Sequence, residues 1–201
     1  MSCPYGLGIA FMEALFFSAV VVAIAEIGDK TQLLAIILAA RFRKPLPIIG
    51  GILAATILNH GLAATAGYFL ARWLSGPVFQ YVVGVAFILM AAWALVPDKA
   101  DDDDVKSTRG FGVFITTLVA FFLVEIGDKT QVATTLLAAR YQQIVLVTVG
   151  TTAGMMLANV PAVYLGEAAV KVFPLKAIRT AAAVLFAVMG VWIIAAAALS
   201  R

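Results

Sequence analysis

Apolar residues run through this chain in six long blocks, at positions 10–40, 47–71, 78–96, 111–139, 144–170 and 175–199. Short polar or Pro/Gly-containing interruptions separate them: Arg41-Phe42-Arg43-Lys44-Pro45, Ser75-Gly76-Pro77, Pro97 to Gly110, Arg140 to Gln143 and Phe173-Pro174. Each block can cross a hydrocarbon core, which takes about 20 helical residues. The blocks lack the strict polar/apolar alternation of barrel strands. Only helices or closed barrels satisfy their backbone groups in lipid, so the pattern predicts helices. The first and fourth blocks are too long for one straight span: thirty residues at about 1.5 Å each reach about 45 Å. A break or a strong tilt is expected in both, and a glycine sits near the middle of each, Gly28 and Gly127.

Composition supports a membrane as solvent. Of 201 residues, 63% are hydrophobic and 12% charged, with a mean hydropathy of +1.03. A soluble domain carries about 25% charged residues, and 12% cannot cover a water-facing surface. The expected fold class is an all-α integral membrane protein forming one membrane domain. Met1 to Phe11 holds no Lys or Arg, so a cleavable signal is not expected. The single cysteine, Cys3, excludes an internal disulfide and a Cys-based metal cluster. The net charge of +3 is spread over scattered basic residues, so no nucleic-acid partner is implied. No G-x-x-x-x-G-K-[ST] is present, so no nucleotide partner is expected, and no cofactor is implied.

The chain repeats itself. Glu26-Ile27-Gly28-Asp29-Lys30-Thr31-Gln32 recurs as Glu125-Ile126-Gly127-Asp128-Lys129-Thr130-Gln131. Leu38-Ala39-Ala40-Arg41 matches Leu137-Ala138-Ala139-Arg140, and Phe87, Met90 and Trp93 match Phe186, Met189 and Trp192. With one small gap, Asn59 aligns with Asn159. Such self-similarity decides architecture. It predicts a first three-helix repeat at 1–96, an acidic cytoplasmic linker at 97–110 and a second three-helix repeat at 111–201. Three spans per unit invert the second copy relative to the first, the arrangement of many secondary transporters. Outside the motifs, Lys and Arg gather in the 1–2 loop (Arg41, Arg43, Lys44), the 3–4 loop (Lys99, Lys106, Arg109) and the 5–6 connection (Lys171, Lys176, Arg179). The other side has Arg72, Arg140 and Arg201. The positive-inside rule makes the three rich loops cytoplasmic and turns both termini to the outer, periplasmic side of an inner membrane.

Four carboxylates, Glu26, Asp29, Glu125 and Asp128, fall at the centres of apolar blocks. A charge there costs at least about 2.5–3.5 kcal/mol on insertion scales, so four of them demand a purpose. Glu and Asp three apart share a helix face, and two motifs related by a pseudo-two-fold would pool up to four carboxylates. Oxygen donors suit hard or borderline divalent cations, Mg²⁺, Ca²⁺ and Mn²⁺. Gly28 and Gly127 can open the helix and release backbone carbonyls, while Thr31, Thr130, Gln32, Gln131, Asn59 and Asn159 can add neutral oxygens. Four carboxylates less Lys30 and Lys129 leave a formal −2, which one divalent cation neutralises. Without that ion the carboxylates would take up protons, so cation and proton would compete. The lysines would hold the carboxylates once the metal has left, or snorkel away.

The doubled E-x-G-D-[KR]-[TS] motif, in six short spans around an acidic central loop, resembles the GDT-type cation/proton exchangers, the transmembrane protein 165 homologues. The resemblance covers essentially the whole chain. It implies export of Mn²⁺, or of Ca²⁺, from the cytoplasm against protons, with both motifs forming the cation site. Glu26, Gly28, Asp29, Lys30 and Thr31 match the first motif, and Glu125, Gly127, Asp128, Lys129 and Thr130 the second, without departure. The choice of Mn²⁺ over Ca²⁺ rests on the resemblance alone.

Competing readings exist. The buried charges can be static interhelical ion pairs, although ionisable groups inside a membrane are functional by default. The rival function is a membrane-embedded metal-dependent hydrolase of a lipid phosphate, against which every Arg lies near a span end. His60 has no repeat counterpart, since position 160 is Val; it is read as satisfied by a neighbour before it is read as a proton relay. Gly150 and Gly154 form a G-x-x-x-G pattern that reads as packing. Glu13 and Glu167 read as headgroup-level residues, Asp101 to Asp104 as a solvated loop, and Trp73, Trp93 and Trp192 as interface anchors. A homodimer is left open.

Overall fold

The computed structural model describes residues 4–74, 76–96, 112–166 and 175–199, without the side chains of residues 4–10 and 77. The acidic linker 97–110 with Asp101 to Asp104, together with Glu167, Lys171 and Arg201, lies outside them. Among the described residues the only regular structure is α-helical. The helices are α1 (Pro4–Glu26), α2 (Lys30–Phe42), α3 (Pro45–Trp73), α4 (Pro77–Ala94), α5 (Val113–Glu125), α6 (Lys129–Tyr141), α7 (Ile144–Leu165) and α8 (Leu175–Leu199).

Both long blocks are broken where their central glycines stand. Gly28 has φ +79° and Gly127 φ +76°, a left-handed conformation that costs L-residues energy and glycine little. The chain bends by 70° between α1 and α2. The two breaks share their detail: Asp29 (φ −80°, ψ 168°) and Asp128 (φ −79°, ψ 166°) are extended N-cap residues of α2 and α6. Both following helices also end in a left-handed residue, Arg43 and Gln142.

Helices α3, α7 and α8 are each long and apolar enough to cross a membrane, and the bent pair α1–α2 makes a fourth candidate. The six-block expectation meets two shortfalls. Helix α4 has 18 residues, about 27 Å at 1.5 Å per residue, just under the roughly 30 Å of a hydrocarbon core. Helix α5 is a 13-residue apolar segment, and its continuation α6 is diluted by Lys129, Thr130, Gln131, Thr134, Thr135 and Arg140. Outward faces carry large apolar side chains, among them Phe16, Leu62, Leu89, Leu157 and Val188, the surface that lipid wets.

Helix α3 packs on α5, α6 and α7, α7 also lies along α1, and α4 pairs with α8. Lipid supplies little hydrophobic drive for helix pairing, so close contact matters most. Gly150 and Gly154 provide it: a Cβ on either would run into the Leu15 or Ala19 carbonyl of α1. Residues equivalent in the repeat also meet. Phe87 of α4 and Phe186 of α8 lie with ring centroids 6.2 Å apart, in one core cluster with Met90 and Met189. Leu137 of α6 anchors in that cluster, while its counterpart Leu38 of α2 anchors in a second one around Ile48, Ile52 and Phe121. The starts of α2 and α6, where the motifs lie, are thereby held in place.

Candidate functional site

Each motif is built on a helix break, which corrects the expectation of a shared helical face. Glu26 is the last residue of α1 and Asp29 the N-cap of α2. The turn between them brings the two together, with the Asp29 amide donating to the Glu26 carbonyl at 3.0 Å; Asp128 and Glu125 do the same at 3.1 Å. Neither aspartate caps its own helix with its side chain. Glutamine does bracing work instead. Gln32 Oε1 accepts the Gly28 amide at 2.8 Å, and Gln131 Oε1 the Gly127 amide at 2.7 Å. This reach-back from the third helical position resembles a capping box. Gln32 Nε2 donates to the Ala158 carbonyl at 3.0 Å and Gln131 Nε2 reaches Asn59 Oδ1 at 3.5 Å. Both side chains are therefore braces of the break and ties to the neighbouring repeat.

The two motifs meet. Lys30 Nζ of the first lies 3.1 Å from Asp128 Oδ1 of the second. Glu26 lies within electrostatic reach of Glu125, Asp128 and Lys30. All four carboxylates are buried, each at most 4% exposed, and they are the only buried carboxylates among the described residues. Asn159 Nδ2 donates to Glu26 Oε1 at 3.3 Å. Thr130 Oγ1 donates to Glu125 Oε1 and lies 3.3 Å from Asp128 Oδ2. Glu26 Oε2, Glu125 Oε2 and Thr31 Oγ1 are buried without a hydrogen-bond partner. Among the described residues no three acidic, His or Cys side chains converge as a preformed metal cage, so in this conformation the carboxylates form a cluster that an ion would have to draw together.

The halves are not equivalent. Lys30 Nζ lies on Asp128, and Lys129 Nζ donates to the Val96 carbonyl at 2.9 Å. Asn59 donates to the Phe122 carbonyl at 3.1 Å and does not repeat the Asn159–glutamate contact. The first break is covered: a Cβ on Gly28 would lie 2.5 Å from Leu175 Cδ2, whereas among the described residues nothing stands within 4 Å of one on Gly127. A cavity of about 20 Å³, room for about one water, lies beside the first motif, lined by Gly28, Asp29, Lys129 and Arg179 among others. Arg179 had counted only as loop charge in the sequence.

His60, outside the candidate site residues of the sequence, lies beside one of them. It is fully buried in α3, and its Nε2 lies 3.6 Å from Glu125 Oε1. The available signal was its place next to Asn59, the counterpart of a residue that touches the other glutamate.

A polytopic helical membrane protein with paired acidic helix breaks in its interior has the form of an ion transporter. A family model described as "Divalent cation/proton antiporter GDT1" matches the chain twice, at residues 14–102 and 113–201. The chain belongs to this family of divalent cation/proton antiporters. It is 50% identical over 179 residues to a Vibrio cholerae serotype O1 protein named "Putative manganese exporter", covering 89% of this chain and 88% of that one. It is also 28% identical to GDT1-like protein 3 of Oryza sativa subsp. indica over 89% of this chain and 72% of the relative, and 25% identical to GDT1-like protein sll0615 of Synechocystis over 64% and 71%. No solved structure matches the chain. The protein is thus a multi-pass membrane transporter of cations and not an enzyme, which removes the lipid-phosphate hydrolase reading.

Proposed function

We propose that this protein exports Mn²⁺ from the cytoplasm in exchange for protons, through a site made by Glu26, Asp29, Glu125 and Asp128. The observation that carries the proposal is the Lys30–Asp128 contact at 3.1 Å, which ties both motifs into one buried cluster. Manganese is favoured by the name of the Vibrio cholerae relative; the oxygen donors by themselves also suit Ca²⁺. Four carboxylates and two lysines give a formal −2 that one divalent cation cancels. Proton and cation compete for the same oxygens, so loading one displaces the other.

The proposed frame is six spans in two inverted repeats, residues 1–96 and 111–201 joined by the linker 97–110. The spans are α1–α2, α3, α4, α5–α6, α7 and α8. Supporting it are the two family-model matches, the meeting of Phe87 with its counterpart Phe186 and the exchanged packing of α1 on α7 and α5 on α3. The broken helices suit ion binding: the end of α1 offers carbonyls to a cation, as half-helices do in other transporters. Gly28, Gly127, Thr31, Thr130, Asn59 and Asn159 shape and line the path, and Gln32 and Gln131 keep the breaks open. The Lys- and Arg-rich loops support an orientation with both termini on the periplasmic face of an inner membrane.

The test uses purified protein in proteoliposomes, with one internal dye for Mn²⁺ and one for pH under an imposed proton gradient. Mn²⁺ movement coupled to opposite proton movement is expected, and Glu26→Gln or Asp128→Asn should abolish both. Normal transport by both variants would remove the motifs from the path.

A further inference from the structure

We infer that His60 is a ligand of the transported cation, and that its imidazole nitrogen biases the site toward first-row transition-metal ions over Ca²⁺ and Mg²⁺. The inference rests on the proposed transport site. Three observations carry it.

The first is an unmet need. His60 is 0% exposed, and neither Nδ1 nor Nε2 has a hydrogen-bond partner among the described residues. Buried polar atoms are rarely left this way, because desolvation without a partner costs free energy. The second is direction. Nε2 lies 3.6 Å from Glu125 Oε1, too far for a made hydrogen bond and near enough for both atoms to bind one ion after a small adjustment. Glu125 Oε2 is unpartnered too. An unpartnered imidazole from α3 thus faces a carboxylate at the end of α5 whose nearer oxygen accepts from Thr130 and whose other oxygen has no partner.

The third is the broken symmetry. Asn59-His60 corresponds to Asn159-Val160. Asn159 engages Glu26, but Asn59 is turned to the Phe122 carbonyl and Gln131. Glu125 therefore faces an imidazole where Glu26 faces an amide. The duplicated motif supplies a symmetric oxygen set, and His60 adds a nitrogen on one side only. Ca²⁺ and Mg²⁺ are hard ions that take oxygen ligands and gain little from imidazole. First-row divalent ions accept nitrogen, with Mn²⁺ the weakest of the series and Fe²⁺ and Co²⁺ stronger. The same donor should therefore let Co²⁺ compete with Mn²⁺.

The test compares wild type, His60→Gln, His60→Ala and Glu125→Gln in proteoliposomes, measuring initial transport of Mn²⁺, Ca²⁺ and Co²⁺. Pulsed electron paramagnetic resonance of Mn²⁺-loaded wild type reads imidazole ¹⁴N coupling directly and needs no variant to fold. The expected result is ¹⁴N coupling in wild type, its loss in His60→Gln, and a fall of about tenfold in the Mn²⁺/Ca²⁺ preference, the low end of what lost support at a metal centre costs. Co²⁺ should compete with Mn²⁺ in wild type and less in His60→Gln. Absence of ¹⁴N coupling in wild type, or an unchanged ion preference in folded His60 variants, overturns the inference. If Glu125→Gln is inactive while His60 variants keep the wild-type preference, only this inference falls. If Glu125→Gln transports like wild type, the site itself falls.

Discussion

Single residues set the chemistry of the cluster, and Lys30 is the clearest case. Its ammonium joins the two motifs through Asp128, and its side chain keeps 25% exposure while Asp128 keeps 3%. Removing one partner of a fully buried pair costs about 3–5 kcal/mol; the exposure of Lys30 discounts this, so Lys30→Met is expected to cost about 1–3 kcal/mol. A lowered thermal midpoint in detergent, together with slowed Mn²⁺ transport, would record it. Lys30→Arg keeps the charge and should recover most of the stability. The identity of the charged residues was legible in the sequence because four carboxylates in apolar blocks are too costly to be incidental. Which lysine reaches which carboxylate was not, because the motifs are identical and only their neighbours differ. Val96 at the end of α4 receives Lys129, and nothing in the repeat announces that.

At the scale of the element, each motif is a helix break, and the glycine makes it. Gly28→Ala and Gly127→Ala both force a left-handed L-residue, at about 1–2 kcal/mol each. Gly28→Ala also meets Leu175, whereas Gly127→Ala meets nothing within 4 Å among the described residues. The first variant should therefore melt below the second, and adding Leu175→Ala to Gly28→Ala should recover part of the gap; equal midpoints would show that the cover over the first break is loose. Gln32→Leu leaves the Gly28 amide without its acceptor and is expected to cost about 1 kcal/mol or more, read as a lower midpoint. The breaks were expected from block length and central glycines. The sequence offers the glutamines as supporting neutral oxygens of the path; their bracing hydrogen bonds come only from the structure, because sequence spacing does not say whether a side chain turns back to its own helix or outward.

For the whole molecule, orientation is the testable property. In a Cys3→Ser background, Arg43→Cys should resist a membrane-impermeant thiol reagent in intact cells, and Gln143→Cys should react. The reverse pattern would place both termini on the cytoplasmic side and overturn the proposed orientation.

Membrane residence, the duplication, the broken blocks and the four carboxylates followed from the sequence alone. Each is dictated by local cost: apolar length against bilayer thickness, buried charge against hydration, and left-handed backbone against Cβ. Tertiary structure decided the rest. Long-range packing brings Lys30 to Asp128, Asn159 to Glu26 and His60 to Glu125, across α2 and α6, α7 and α1, α3 and α5. It also covers the first break with Leu175. The physical reason is that the two motifs are identical in sequence, so only packing gives them different neighbours. The difference between His60 and Val160 is written in the sequence, but that it falls beside Glu125 is decided only when the helices meet.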